Sequence, residues 1–93
     1  MEYKVVTTKY GTTYIDGNTY EDEKGWKYKV GFEWHKHETT GRFTIYCRKP
    51  GKIRTTEWSS SRWTKKSWAT VEEAGAEFER IATEKGWKDA GYR

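Results

Sequence analysis

Two alternate histidines, His35 and His37, are the residues best spaced for metal chemistry, at the end of a predicted strand. Alternate side chains on a strand share a face, so both imidazoles could reach one zinc ion, with Glu33 beside them. No third and fourth ligand are evident, because Cys47 is predicted to point to the opposite face. The alternative is a pair of edge histidines that make ordinary hydrogen bonds, and we predict no metal site and no cofactor.

The sequence lacks the usual patterns for nucleophilic catalysis and for phosphate binding in a loop. The serine run Ser59–Ser61 has no Gly-x-Ser-x-Gly pattern around it, and no glycine-rich phosphate loop occurs. Cys47 alternates with apolar positions, which predicts a small buried side chain and not the exposed, electropositive setting of a nucleophile. We therefore predict that the protein is not an enzyme and has no catalytic residues.

Basic side chains interleaved with aromatic ones form the candidate binding surface with the most members. Cations neutralise phosphates and aromatic rings stack on bases, and a ribbon of two or three strands fits the major groove of DNA. The alternative is a solvated sheet face, where cations keep strand edges from pairing. The candidate nucleic-acid-binding residues are Lys27, Lys29, Arg42, Tyr46, Arg48 and Arg54.

A cluster of tryptophans follows these strands and offers a second hypothesis. Trp58, Trp63 and Trp68 lie within eleven residues, which is more tryptophan than a small core needs. Trp68 precedes the predicted helix and is the best core candidate, whereas the other two flank a serine loop. Exposed Trp and Arg are typical anchors of protein interfaces. The candidate protein-binding residues are Trp58, Arg62, Trp63 and Lys65.

Strands that alternate in character must position these residues. From Trp26 to His35, aromatic or apolar residues alternate strictly with lysine, glycine, glutamate and histidine, which predicts a half-buried strand with one aromatic face. Arg42–Arg48 repeats the pattern, with Phe43, Ile45 and Cys47 on the core face. The other predicted strands are Tyr3–Thr8, Thr12–Ile15, Ile53–Trp58 and Arg62–Trp68, whereas Asp16–Asn18 is predicted as a turn and Tyr20–Gly25 and Ser59–Ser61 as loops.

One helix is predicted over Val71–Lys85. Thr70 and Glu73 form a capping box at its start, and Gly86 is a left-handed terminator at its end. Its apolar stripe is Val71, Ala74, Gly75, Phe78, Ile81 and Ala82, and its wet face is Glu72, Glu73, Glu77, Glu79, Arg80 and Glu84. Small residues on the stripe predict a close approach to the aromatic face of the sheet.

The composition sets the class of protein. The 93 residues predict a single domain, with a sheet over about 3–68 and a helix over about 71–85. Aromatic residues make up 17% of the chain and must supply most of the core. The net charge of +4 and the pI near 9.2 are compatible with an anionic partner. One cysteine, no apolar run of membrane-spanning length and no apolar leader predict a cytoplasmic protein with no membrane partner.

The strand-to-helix junction also carries a family resemblance. The stretch Lys65–Ala82, with an aromatic before Thr70, then Glu-Glu-Ala and Phe78, resembles the plant ethylene-response-factor DNA-binding domain. Related domains lie at the amino end of phage and transposon integrases. The resemblance implies a three-stranded sheet in the major groove with the helix behind it, and DNA contacts from Arg42, Arg48, Arg54 and Trp58.

The sequence thus predicts an α+β fold, in which a twisted antiparallel sheet of four to six strands packs one face on a C-terminal helix. The first functional hypothesis is a non-catalytic nucleic-acid-binding module, with DNA favoured over RNA. The second is a small protein that inhibits a host protein complex through its Trp/Arg patch, because the chain also resembles the accessory proteins of phages, which include anti-CRISPR proteins. A homodimer through an edge strand stays open.

Overall fold

The structure is a computed structural model and describes residues 2–34, 41–51, 59–60 and 67–92. Within these residues the chain forms seven strands and one helix. In chain order they are β1 (Lys4–Thr7), β2 (Thr13–Asp16), β3 (Asn18–Glu21), β4 (Lys27–Glu33), β5 (Arg42–Arg48), β6 (Ser59–Ser60), α1 (Val71–Lys85) and β7 (Lys88–Tyr92).

The strands form two antiparallel sheets. The larger sheet has five strands in the order β6-β5-β4-β3-β7, and the smaller one is the β1–β2 hairpin. With one helix on the larger sheet, this architecture is α+β and confirms the predicted fold class. In the part of the chain that the structure describes, no helix has the length and apolar character needed to cross a membrane.

The core lies between α1 and the faces of β4 and β5 that turn toward it. Tyr28 and Val30 of β4 are each 2% exposed, and Phe43, Ile45 and Cys47 of β5 are buried beside them, as the alternation predicts. Trp26 and Phe32 are partly buried against the same cluster. Trp34 differs from the prediction: it is 60% exposed, because β4 ends at Glu33 and the residue that follows lies beyond the edge of the core.

The helix begins and ends where its capping residues predict. The Thr70 hydroxyl accepts a hydrogen bond from the backbone N–H of Glu73 at 3.2 Å and donates one to the Glu73 carboxylate at 3.0 Å. Gly86 adopts the left-handed conformation at φ 71°, and the next residue folds back so that the Trp87 ring stacks on Tyr28 at 3.8 Å. These caps satisfy backbone groups at both ends of α1.

The aromatic ring of Tyr3 packs the first residues of the chain against helix α1. Tyr3 lies between Gly17 and Gly75, and a Cβ atom at either glycine would overlap its ring. The ring meets Phe78 edge-on at 6.0 Å, and its hydroxyl donates to Glu79 at 2.5 Å. Glu79 also accepts from the Tyr20 hydroxyl, so it is half-buried and does not belong to the freely solvated face predicted for it.

Two segments predicted as irregular are strands. The segment Asn18–Glu21, predicted as the end of a turn and the start of a loop, forms β3, and Ser59–Ser60, predicted as loop, forms β6. The connection after β3 is a tight turn instead of a long loop, because the Asp22 carboxylate accepts from the backbone N–H of Lys24 and Trp26, each at 2.9 Å.

The predicted limits of the sheet are wrong at the C-terminal side. The sheet does not end before the helix: β7 follows α1 and pairs with β3, which places the last strand at the edge opposite β6. The predicted strand Ile53–Trp58 and most of Arg62–Trp68 lie outside the described residues. Trp68 itself forms an isolated bridge with Phe43, with backbone hydrogen bonds of 2.8 and 2.9 Å.

Candidate nucleic-acid interface

The face of β4 and β5 that turns away from α1 holds the predicted cations. Because antiparallel partners share a face, Lys27 lies opposite Arg48 and Lys29 lies opposite Tyr46. Arg42 lies opposite Glu33 at the far end of the pair. This cationic face therefore carries four cations and one carboxylate on eight positions, which are Lys27, Lys29, Gly31, Glu33, Arg42, Thr44, Tyr46 and Arg48.

The five predicted nucleic-acid-binding residues within the described ranges all lie on this face. Arg42 is exposed, and the others are half-buried along their aliphatic or aromatic parts. Arg54, the sixth, lies outside the described residues, as do all four protein-binding candidates, Trp58, Arg62, Trp63 and Lys65. The structure thus brings the described nucleic-acid-binding candidates together on one face, and the protein-binding candidates stay a prediction.

The Tyr46 ring packs against the sheet in the middle of the cationic face. A Cβ atom at Gly31 would overlap the Cδ2 and Cε2 atoms of the Tyr46 ring, so the ring covers the glycine on the neighbouring strand. The Tyr46 hydroxyl donates to the carbonyl oxygen of Phe32 at 3.3 Å. Glycine inside a strand marks a place where another group approaches closely, and here that group is an aromatic ring.

The environment of Tyr46 keeps its hydroxyl protonated. Burial raises the pKa of Tyr46 to about 12, and the negative charge of Glu33 adds to the effect. A phenol with such a pKa is a neutral hydrogen-bond donor throughout the physiological pH range. The ring therefore adds no negative charge to the cationic face.

The strand after the helix contributes a cation that sequence reasoning missed. Lys88 of β7 lies opposite Glu21 of β3, and Glu21 in turn lies opposite Lys27. One row across the sheet thus reads Lys88, Glu21, Lys27 and Arg48. The segment of β7 shows no alternation of apolar and polar residues, so no signal in the sequence placed Lys88 on this face.

Acidic residues concentrate on the other side of the molecule. Helix α1 carries five glutamates and two basic residues, Arg80 and Lys85. Arg80 is itself paired with Glu77 and, at 2.6 Å, with Glu84. Because the helix packs on the core side of the sheet, its negative charge lies opposite the cationic face. Such a separation orients a protein as it approaches a polyanion.

A groove with titratable groups in its lining lies beside Tyr3. Its volume is about 540 Å³, and it is lined by Glu2, Tyr3, Lys4, Glu72, Gly75, Ala76 and Glu79. Burial and then the hydrogen bond to Glu79 raise the pKa of Tyr3, and the same two causes raise that of Tyr20. Both phenols stay protonated and donate hydrogen bonds to the Glu79 carboxylate, so this cluster has a structural role.

The remaining chemical candidates have separate outcomes. Cys47 is buried on the core face, as predicted. His35 and His37 lie outside the described residues, so the zinc hypothesis is not tested there. Among the residues that are described, no group of three or more His, Cys, Asp or Glu side chains is placed to hold a metal ion.

Comparisons with protein-family models, with curated proteins and with solved structures found no match to this chain. The resemblance of Lys65–Ala82 to the ethylene-response-factor domain therefore stays a prediction.

Proposed function

We propose that the protein is a non-catalytic nucleic-acid-binding module that uses the cationic face, with Lys88 at its margin. The observation that supports this most directly is the gathering of Lys27, Lys29, Arg42 and Arg48 around one aromatic ring, on the side of the sheet away from the helix. Cations of this kind neutralise phosphates and release counterions, which supplies most sequence-independent affinity.

The charge pattern within the face favours an anionic partner. Lys27 and Arg48 are directly opposite each other, and like charges in this position are destabilising. Glu21, on the other side of Lys27, offsets part of that cost. A bound phosphate near Lys27 and Arg48 would interact favourably with both positive charges.

The test is a binding titration by fluorescence anisotropy with a labelled DNA of about 20 nucleotides, single-stranded and duplex, at about 50 and about 200 mM salt. Affinity should fall steeply between the two salt concentrations. Lys29→Ala and Arg48→Ala should each weaken binding and reduce the slope of log K against log salt by about one.

The matched control is Lys4→Ala. Lys4 is an exposed lysine that lines the groove beside α1, so the variant loses the same charge from the other side of the protein. Its binding curve should superimpose on that of the wild type at both salt concentrations. If neither form of DNA binds at low salt, or if Lys4→Ala weakens binding as much as Lys29→Ala does, the proposal is wrong.

A further inference from the structure

We infer that the cationic face binds single-stranded nucleic acid, with one base stacked on the outer side of the Tyr46 ring; this inference rests on the proposed function. One side of that ring lies against Gly31, and the ring is half-buried, so part of it is open to solvent. A flat aromatic surface on a sheet is a platform for an unpaired base.

The Tyr46 ring lies over a position that has no side chain, because it covers Gly31 on the neighbouring strand. A duplex hides the faces of its bases and shows their edges at the floor of a groove. A ring that lies flat on the sheet does not reach the base edges at the bottom of a groove. A single strand, in contrast, can place the face of an unpaired base on the ring.

Cations stand on both sides of the platform along β5. Arg48 is two residues from Tyr46, which places it roughly 7 Å along the strand, and Arg42 is four residues away in the other direction, roughly 14 Å. Lys29 lies directly across from the ring. A backbone that runs along β5 would therefore meet a cation before and after the stacked base.

Glycine at position 31 is what allows this arrangement. Any side chain there would displace the Tyr46 ring from the sheet, without removing a charge or an aromatic group. The geometry of the platform can thus be changed separately from its composition. This separation distinguishes stacking from general attraction to phosphate.

The test compares three variants on a mixed-sequence single strand of about 20 nucleotides and on its duplex. The wild type should bind the single strand more tightly than the duplex. Tyr46→Leu should weaken single-strand binding roughly 5- to 150-fold, as expected for one stacked base, with the salt slope unchanged. Tyr46→Phe should keep the affinity, because the ring remains. Gly31→Ala should resemble Tyr46→Leu.

Tyr10→Leu is the matched control, since Tyr10 is 84% exposed on the turn between β1 and β2. It should leave binding unchanged, and circular dichroism should show that each variant is folded. Tighter binding of the duplex, or a Tyr46→Leu variant that binds like the wild type while Lys29→Ala is weakened, overturns this inference and leaves the proposed function standing. Absence of binding to either DNA at low salt overturns both.

Discussion

Replacing Gly75 with alanine sets two effects of known sign against each other. In an isolated helix the change stabilises by about 0.8–1 kcal/mol, because glycine loses more backbone entropy on folding. Here the new Cβ atom would lie 2.5 Å from Cδ2 of Tyr3, so the ring must move. The cost therefore depends on what the Tyr3 ring contributes in its present place.

Two contacts of Tyr3 set that cost. Its edge-on contact with Phe78 is worth about 0.5–1.5 kcal/mol, and its hydrogen bond to the Glu79 carboxylate is worth about 1.5–3 kcal/mol. Because Glu79 is half-exposed, we take the lower part of that range. We expect Gly75→Ala to destabilise by about 1–2 kcal/mol after the gain in helix propensity is subtracted.

The assay is urea unfolding followed by circular dichroism, run as a double-mutant cycle with Tyr3→Ala. In the Tyr3→Ala background the obstacle is gone, so Gly75→Ala should become stabilising by up to about 1 kcal/mol. The effect of Gly75→Ala on the free energy of unfolding should thus change sign between the wild-type and the Tyr3→Ala backgrounds. If Gly75→Ala stabilises the wild type, or if its effect is the same in both backgrounds, the reasoning on Tyr3 is refuted.

Two further predictions concern the helix cap and the platform tyrosine. Thr70→Ala should destabilise by about 1 kcal/mol and lower the melting temperature by about 4–8 °C, because the Glu73 N–H loses its acceptor; a Thr83→Ala variant, exposed inside the helix, is the control and should not melt lower. Tyr46 should ionise near its raised pKa of about 12. In a pH titration followed by absorbance at 295 nm, the part of the signal that is missing from Tyr46→Phe should therefore have its midpoint near pH 12. The stability linked to this shift is complete below pH 10 and is lost as pH rises to about 12; a midpoint near 10 contradicts the assigned environment.

The elements with strong local signals could be predicted from the sequence. The helix from Val71 to Lys85 matches because its capping residues and its apolar stripe depend on positions within one turn of each other. The strand β4 follows from strict alternation, and its cations lie on the predicted side. Both signals are local, so they need no knowledge of the neighbouring elements.

The strands β3 and β7 could not be predicted because distant residues stabilise them. Tyr20 reads as part of a polar loop until the helix supplies Phe78, edge-on at 5.3 Å, and Glu79 as an acceptor. The strand β7 contains Gly91 and pairs with β3 through a register shift between Thr19 and Tyr20, which no periodicity reveals.

The same limit applies to the candidate site. Its cations could be named from alternation, but the flat Tyr46 ring depends on Gly31 of the neighbouring strand, and their pairing is set by register. Without the register, Gly31 reads as a weak position in a strand. With it, the glycine becomes the reason that the aromatic ring lies where it does.

The attachments at Tyr3 and β7 bear on how quickly the protein folds. The hydrogen bond from Tyr3 to Glu79 joins residues 76 positions apart, and that from the Thr19 hydroxyl to the carbonyl oxygen of Gly91, at 2.7 Å, spans 72. Contacts of such separation form after loop closure has cost chain entropy, and they slow folding relative to helical proteins of equal stability. Until they form, the outer edge of β3 has its main-chain groups open to other chains, so refolding at high protein concentration should compete with aggregation.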